Sequence, residues 1–98
     1  MSMQWKNELT DQLCEALLTL GTIEEVYDFL EDVATIAEIR AFSQRLQVAK
    51  LLMQGDSYPQ ISKSTGASTA TISRVRKTVD YGKDGFKTVL DRMRGEDA

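Results

Sequence analysis

Residues 58–77 read YPQISKSTGASTATISRVRK, and their spacing predicts two short helices joined by a tight turn. Two helices that cross steeply need an apolar residue beside a small one in the first helix, a turn residue that tolerates positive φ, and inward apolar residues one turn apart in the second. The segment supplies these features at Ile61, Ser62, Gly66, Ile72 and Val75. We therefore predict a helix-turn-helix over residues 57–81.

The outward face of the second helix carries small polar or methyl groups first and cations later, at Thr69, Ala70, Ser73, Arg76 and Lys77. Short side chains near the start of a recognition helix let its backbone approach base edges, while cations farther along hold phosphates. Any amphipathic helix has a polar outer face, but that alternative does not explain why the turn glycine, the small Ser62 and the basic charge occur together. We therefore expect this helix to bind the major groove of double-stranded DNA.

The candidate contacts to DNA fall into two chemical classes. Lys63, Arg76 and Lys77, with Lys50 as a further candidate, would neutralise phosphates. Thr69, Ala70, Thr71 and Ser73 are the candidates for contact with base edges. Ser68, which can cap the same helix, completes the predicted DNA-binding set of Lys63, Ser68, Thr69, Ala70, Thr71, Ser73, Arg76 and Lys77.

The formal net charge of −3 hides a strong asymmetry along the chain. Residues 1–39 carry one lysine against nine acidic residues (net −8), whereas residues 40–83 carry eight lysines and arginines against two aspartates (net +6). Solvated helix faces are the simplest explanation of the acidic stretch. The basic stretch coincides with the predicted helix-turn-helix, so an acidic overall balance does not exclude a basic DNA-binding face.

The rest of the chain also has helical periodicity. Apolar residues recur at three- and four-residue steps from Trp5 to Leu20, and further helices are expected to open at pairs with capping-box spacing. These pairs are Thr22 with Glu25, Thr35 with Glu38, and Ser57 with Gln60; Ser68 can cap a fifth helix, and a sixth contains Phe86, Val89, Leu90 and Met93. Because no segment alternates with the period of a strand, we predict an all-α, six-helix fold in a single domain over residues 1–98.

Composition excludes several function classes. The chain has no histidine and one cysteine, so it lacks the usual zinc and copper ligand sets and cannot form an intrachain disulfide. It also lacks a glycine-rich phosphate loop, and we expect no enzyme activity, no catalytic residues, no metal and no cofactor. No apolar run is long enough to span a bilayer, and residues 1–11 lack a basic region followed by an apolar core, so we expect a cytoplasmic protein with no membrane partner.

The segment GASTATISR, residues 66–74, resembles the G-A-x-x-A-T-I-T-R recognition-helix signature of the Trp repressor superfamily. The likeness extends over residues 35–93 and includes Thr35, Glu38, Arg45 and the pair Leu51–Leu52 before Gly55. It is greatest to the YerC/YecD-like branch of small bacterial Trp-repressor-related proteins. The resemblance implies an intertwined homodimer, in which residues 1–55 and 84–95 supply the dimerisation helices.

In such a dimer, two helix-turn-helix heads related by a two-fold axis would meet successive major grooves about 34 to 36 Å apart. We therefore interpret the chain as a sequence-specific transcriptional regulator, a repressor, that binds a palindromic operator as a dimer. The alternative is a protein-interaction module that keeps the fold, has lost DNA binding and uses its acidic helices to meet a basic partner. DNA binding at low salt would distinguish these two functions.

The resemblance also implies a candidate ligand pocket. Arg45 and Arg74 match the two arginines that hold tryptophan in the Trp repressor, Thr35 matches a further pocket residue, and Thr78 replaces a serine. Val75 stands where the tryptophan-binding protein has glycine, and its isopropyl group should obstruct the slot for the indole ring. Valine at this position also fills the core of an ordinary helix-turn-helix. We therefore predict that tryptophan is not the corepressor. The chain then either binds DNA without a ligand or responds to another small-molecule effector, whose identity the sequence does not reveal.

Overall fold

The computed structural model describes residues 5–95, which contain six helices and no strand. The helices are α1 (Glu8–Leu18), α2 (Ile23–Val33), α3 (Ile36–Met53), α4 (Tyr58–Thr65), α5 (Thr69–Tyr81) and α6 (Gly85–Gly95). The predicted all-α class and its six helices are confirmed. No helix in this part of the chain is long and apolar enough to cross a membrane. The residues form two compact units, one ending at Ile36 and the other beginning at Ala37, each described by itself below.

In the N-terminal unit, α1 is shorter than the apolar periodicity from Trp5 to Leu20 indicates. The helix begins after Asn7, because the Asn7 side chain accepts a hydrogen bond from the Thr10 backbone N–H at 3.0 Å while the Thr10 hydroxyl accepts one from the Asn7 N–H at 2.8 Å. These two bonds satisfy backbone donors that an uncapped helix start would leave unpaired. This cap therefore sets the start of α1 at Glu8, inside the apolar pattern that begins at Trp5.

The second helix of this unit begins as predicted at Thr22, whose hydroxyl accepts a hydrogen bond from the Glu25 N–H at 3.1 Å. The other half of the predicted capping box differs. The Glu25 carboxylate accepts its hydrogen bond from the Gly21 N–H at 2.8 Å, one residue before the cap. An acidic side chain in the first turn still meets the positive end of the helix dipole, so the stabilising effect is retained.

The C-terminal unit has a core formed by the end of α3, by α4, and by the first half of α5. Its buried residues are Val48, Ala49, Leu52, Ile61, Ala67, Ile72 and Val75. Partly buried side chains pack around them, including two from α6, and they are Leu51, Tyr58, Val79, Phe86 and Leu90. The helix-turn-helix is therefore held on α3 rather than packed only against itself.

Gly82 ends α5 in a position that excludes a side chain. Its backbone is extended, and a Cβ built on it would lie 2.5 Å from the Thr78 carbonyl oxygen. We predict that Gly82→Ala lowers the free energy of unfolding by about 1 to 3 kcal/mol, as expected when an atom is forced into occupied space. Thermal unfolding checks this, with Gly85→Ala as the control, since a Cβ at Gly85 meets no atom of residues 5–95 within 4 Å. Equal unfolding temperatures for the two variants would contradict the prediction.

Candidate nucleic-acid interface

The first helix of the motif, α4, is fixed at both ends by local hydrogen bonds. The Ser57 hydroxyl accepts from the Gln60 N–H at 3.3 Å, and the Gln60 side chain accepts from the Ser57 N–H at 2.9 Å. This confirms the predicted capping box. Pro59 lies in the first turn, where a missing N–H costs little. At the other end, Gly66 adopts the left-handed conformation with φ +76°, as the turn requires.

Hydrogen bonds tie the turn between the two helices to α4. The Ser62 hydroxyl donates to the Ala67 carbonyl at 2.9 Å, and the Ala67 N–H donates to the Thr65 hydroxyl at 3.1 Å. That hydroxyl in turn donates to the Ile61 carbonyl at 2.7 Å. Ser62 therefore stabilises the turn through its hydroxyl, in addition to supplying the small side chain that the helix crossing requires. The orientation of α5 relative to α4 is thus fixed by side chains as well as by the core.

Ala67 is a core residue that the sequence pattern did not identify. It directly follows the turn glycine and is 2% exposed. The sequence signal for its burial was a small apolar residue between Gly66 and Ser68, the cap of α5. A small side chain fits into the core where the chain turns back sharply.

Ser68 caps α5 and uses its hydroxyl locally. The hydroxyl accepts from the Thr71 N–H at 3.1 Å and lies 3.1 Å from the Thr71 hydroxyl. Thr71 is half-buried. These two members of the predicted DNA-binding set are therefore engaged with each other, and their contact with DNA stays a prediction.

The remaining candidates lie on accessible surface. Thr69, Ala70, Ser73, Arg76 and Lys77 are all exposed along α5, and Lys63 is exposed in the last turn of α4. The Arg76 Nε donates to the Asp80 carboxylate at 3.0 Å. Among residues 5–95, the face predicted to meet DNA is thus not covered by other parts of the protein. It has small groups near the helix start and cations beyond them.

Behind α5 lies a cleft of about 490 Å³ between α3, α5 and the start of α6. It is lined by Ala41, Gln44, Arg45, Thr71, Arg74, Val75, Thr78 and Phe86. Three residues of the predicted ligand pocket, Arg45, Arg74 and Thr78, are therefore brought together. The fourth, Thr35, lies one residue before α3 in the N-terminal unit. Gln44 and Phe86 were not predicted to line a pocket, since only the packing of the three helices brings them together.

Two side chains limit what this cleft can hold. Val75 is 4% exposed and belongs to the core, yet it also lines the cleft, so its isopropyl group occupies space that a glycine would leave open. The Arg45 guanidinium lies 5.9 Å from the centroid of the Phe42 ring, within range of a cation–π contact. The cleft is lined by the cations Arg45 and Arg74 beside the apolar carbon of Val75 and Phe86. Among residues 5–95 there is no cluster of acidic or cysteine side chains that could hold a metal ion.

A family model described as Trp repressor protein matches residues 8–94, nearly the whole of the chain. The chain belongs to the Trp repressor family. It is 48% identical over 84 residues to the uncharacterized protein YerC of Bacillus subtilis strain 168, a match that covers 86% of this chain and 81% of that protein. The resemblance read from the recognition-helix signature is confirmed at the level of family and branch.

Two solved structures to which this chain is similar have the same fold. One is a "putative Trp repressor" from Staphylococcus aureus, with 45% identity, a TM-score of 0.91 and coverage of 96% of this chain and 95% of that one. Another is a TrpR like protein from Eubacterium eligens ATCC 27750, with 49% identity, a TM-score of 0.87 and coverage of 90% and 91%. The predicted Trp-repressor-like fold is therefore confirmed.

Proposed function

We propose that this chain is a transcriptional regulator, a repressor, that recognises a palindromic operator through α5. The observation that carries the proposal is the exposed outer face of α5, which presents small side chains first and cations later on a helix held by a hydrogen-bonded turn. Small groups near a helix start let the backbone come close to base edges, and cations beyond them neutralise phosphates. Membership of the Trp repressor family supports a DNA-binding regulator.

The residues divide into two roles under this proposal. Lys63, Arg76 and Lys77 neutralise phosphates. Lys50, in the last turn of α3, lines a cavity with Lys87 and Arg94 of α6, and its contact with DNA stays a prediction. Thr69, Ala70 and Ser73 meet base edges directly. Ser68 and Thr71 act mainly through the cap they form, which uses the Thr71 N–H. The other backbone N–H groups in the first turn of α5 can then donate to a phosphate.

A homodimer is part of the proposed function, and exposed apolar surface supports it. Neither α1 nor α2 buries a residue in the single chain. Their apolar side chains stand exposed in stripes, among them Leu9, Leu13, Leu17, Ile23, Val26, Tyr27 and Val33. Contiguous apolar surface of this kind normally marks an interface. We propose that residues 1–55 and 84–95 bury it against a second copy, so that two heads act on one operator in the bacterial cytoplasm.

Selection of bound sequences from a random duplex pool tests the proposed function. The expected result is an inverted repeat whose half-sites are separated by about one helical turn of DNA, bound by two chains per duplex. A protein that shifts no duplex even at about 50 mM salt would contradict DNA binding and favour the protein-interaction module, since electrostatic attraction to phosphates is strongest there. A selected site without symmetry, bound by one chain, would contradict the dimer alone.

We predict that tryptophan does not bind this protein. Val75 fills the position where the family's tryptophan-binding member has glycine, so the indole ring should meet an isopropyl group. Isothermal titration of tryptophan into the purified protein is expected to give no saturable heat up to millimolar ligand. The matched variant is Val75→Gly, which removes the isopropyl group that should obstruct the indole ring. Saturable micromolar binding to the unmodified protein would overturn this prediction.

A further inference from the structure

Asp80 is the only acidic residue between positions 57 and 83, and it lies on the helix that carries the proposed DNA contacts. It follows Thr69, Ser73 and Arg76 at steps of four, three and four residues, so these side chains share one stripe of α5. All four are exposed. The Asp80 carboxylate should repel phosphates, because it lies at the end of the stripe that is proposed to contact DNA. Its presence there needs a physical reason.

Helix stability does not supply that reason. The Asp80 carboxylate lies in the last turn of α5, where the helix dipole disfavours a negative charge. Its ion pair with Arg76 has the arginine four residues before the acid, the less favourable order on a helix. The two side chains are 47% and 38% exposed, so water screens the attraction between them. The pair therefore contributes little to folding.

The geometry of the pair points instead to an effect on Arg76. The Asp80 carboxylate accepts from Nε, at 3.0 Å, and this contact favours one position of the guanidinium along the helix. The two outer nitrogens have no second protein partner among residues 5–95 and can still donate to a phosphate. A phosphate that binds Arg76 must compete with a carboxylate already present. Such competition weakens binding to any duplex, whatever its sequence.

We propose that Asp80 is a positioning residue that holds Arg76 in place and lowers its attraction for phosphates, so that binding depends more on base contacts. This inference rests on the proposed DNA-binding function. Asp80 thus raises the ratio of specific to non-specific affinity. In a bacterial cell the number of competing non-specific sites is large, so that ratio matters more than affinity alone.

The test compares Asp80→Asn with Asp56→Asn in the full chain. Asp56 is the control, because the same charge is removed between α3 and α4, outside the helix-turn-helix and outside the segments proposed to form the dimer. Binding to a random-sequence duplex and to the selected site is measured by fluorescence anisotropy across salt concentrations. Asp80→Asn is expected to bind the random duplex up to about five-fold tighter per head. The plot of log affinity against log salt should steepen by about one per head.

Arg76→Ala and the double variant Arg76→Ala with Asp80→Asn show whether the effect passes through Arg76. We expect Asp80→Asn to change affinity and salt dependence little when Arg76 is absent. An equal gain in both backgrounds would overturn the inference, because Asp80 would then act on phosphates directly. Thermal unfolding of each variant verifies that binding is compared between folded proteins.

The remaining outcomes separate this inference from the function on which it rests. If the unmodified protein binds duplexes but Asp80→Asn and Asp56→Asn give the same affinities and salt slopes, the inference is wrong and the proposed function stands. If Asp80→Asn tightens binding to the selected site more than to the random duplex, Asp80 does not favour specificity and the inference is again wrong. If the unmodified protein binds no duplex, both are overturned.

Discussion

Replacement of Ile72 by alanine is expected to lower the free energy of unfolding by about 2 to 5 kcal/mol, the range for a buried large aliphatic residue. Ile72 is 0% exposed, and it packs in the core with Ile61 from α4 and Val48 from α3. The loss would leave a cavity at the point where the recognition helix meets its support. Because a small domain is stabilised by only about 5 to 15 kcal/mol in total, urea unfolding followed by circular dichroism should detect the change readily.

Tyr81→Ala is the control for this substitution. It removes more side-chain atoms than Ile72→Ala, but Tyr81 is 83% exposed and lies outside the segments proposed to form the dimer. We expect a change within about 0.5 kcal/mol, as for surface substitutions in general. Equal losses of stability from Ile72→Ala and Tyr81→Ala would contradict the assignment of the core to the helix-turn-helix and α3.

Lys77→Ala is expected to weaken binding to every duplex by about ten-fold or more in a two-headed complex, because each head loses a charge-assisted contact to phosphate. The slope of log affinity against log salt should become shallower by about one per head. Lys77 is exposed on α5, so removing its side chain should leave folding unchanged. Anisotropy titrations with the selected site and with a scrambled duplex measure both quantities.

Thr69→Ala is the companion variant and should behave differently. Thr69 is exposed at the start of α5, where side chains meet base edges in the proposed complex. We expect the salt slope to stay the same while the preference among selected sites changes by about 1 to 3 kcal/mol, the range for a base contact. If the two variants altered affinity and preference in the same way, the division into phosphate and base contacts would be wrong.

The parts of this fold that could be predicted from sequence are those fixed by neighbours in the chain. Gly66, the capping box of Ser57 with Gln60 and the cap at Ser68 are local signals, and each sits where the sequence placed it. The start of α1 was missed, since Thr10 takes a place in a capping box where glutamate or glutamine is the usual signal. A boundary set by an unusual pair cannot be read from apolar periodicity.

Packing between segments that are distant in the chain could not be predicted from the sequence. The Gln44 side-chain nitrogen donates to the Thr65 carbonyl at 3.2 Å across 21 residues, which ties α3 to the end of α4. Nothing near Gln44 in the sequence indicates this bond, and the same holds for its place in the cleft. The burial of Ala67 likewise depends on how closely two helices cross. The four-residue spacing of Arg76 and Asp80 is typical of an ion pair on a helix. The function of that pair depends on the other residues on the same face of α5.

An NMR titration of the uniformly labelled protein with a duplex that carries the selected site tests most directly whether α5 binds DNA. We predict that the largest changes in amide chemical shift fall on Thr69, Ala70, Ser73, Arg76 and Lys77, with α1 and α2 little affected. Changes confined to the acidic helices α1 and α2, with α5 undisturbed, would contradict the claim that α5 is the surface that binds DNA.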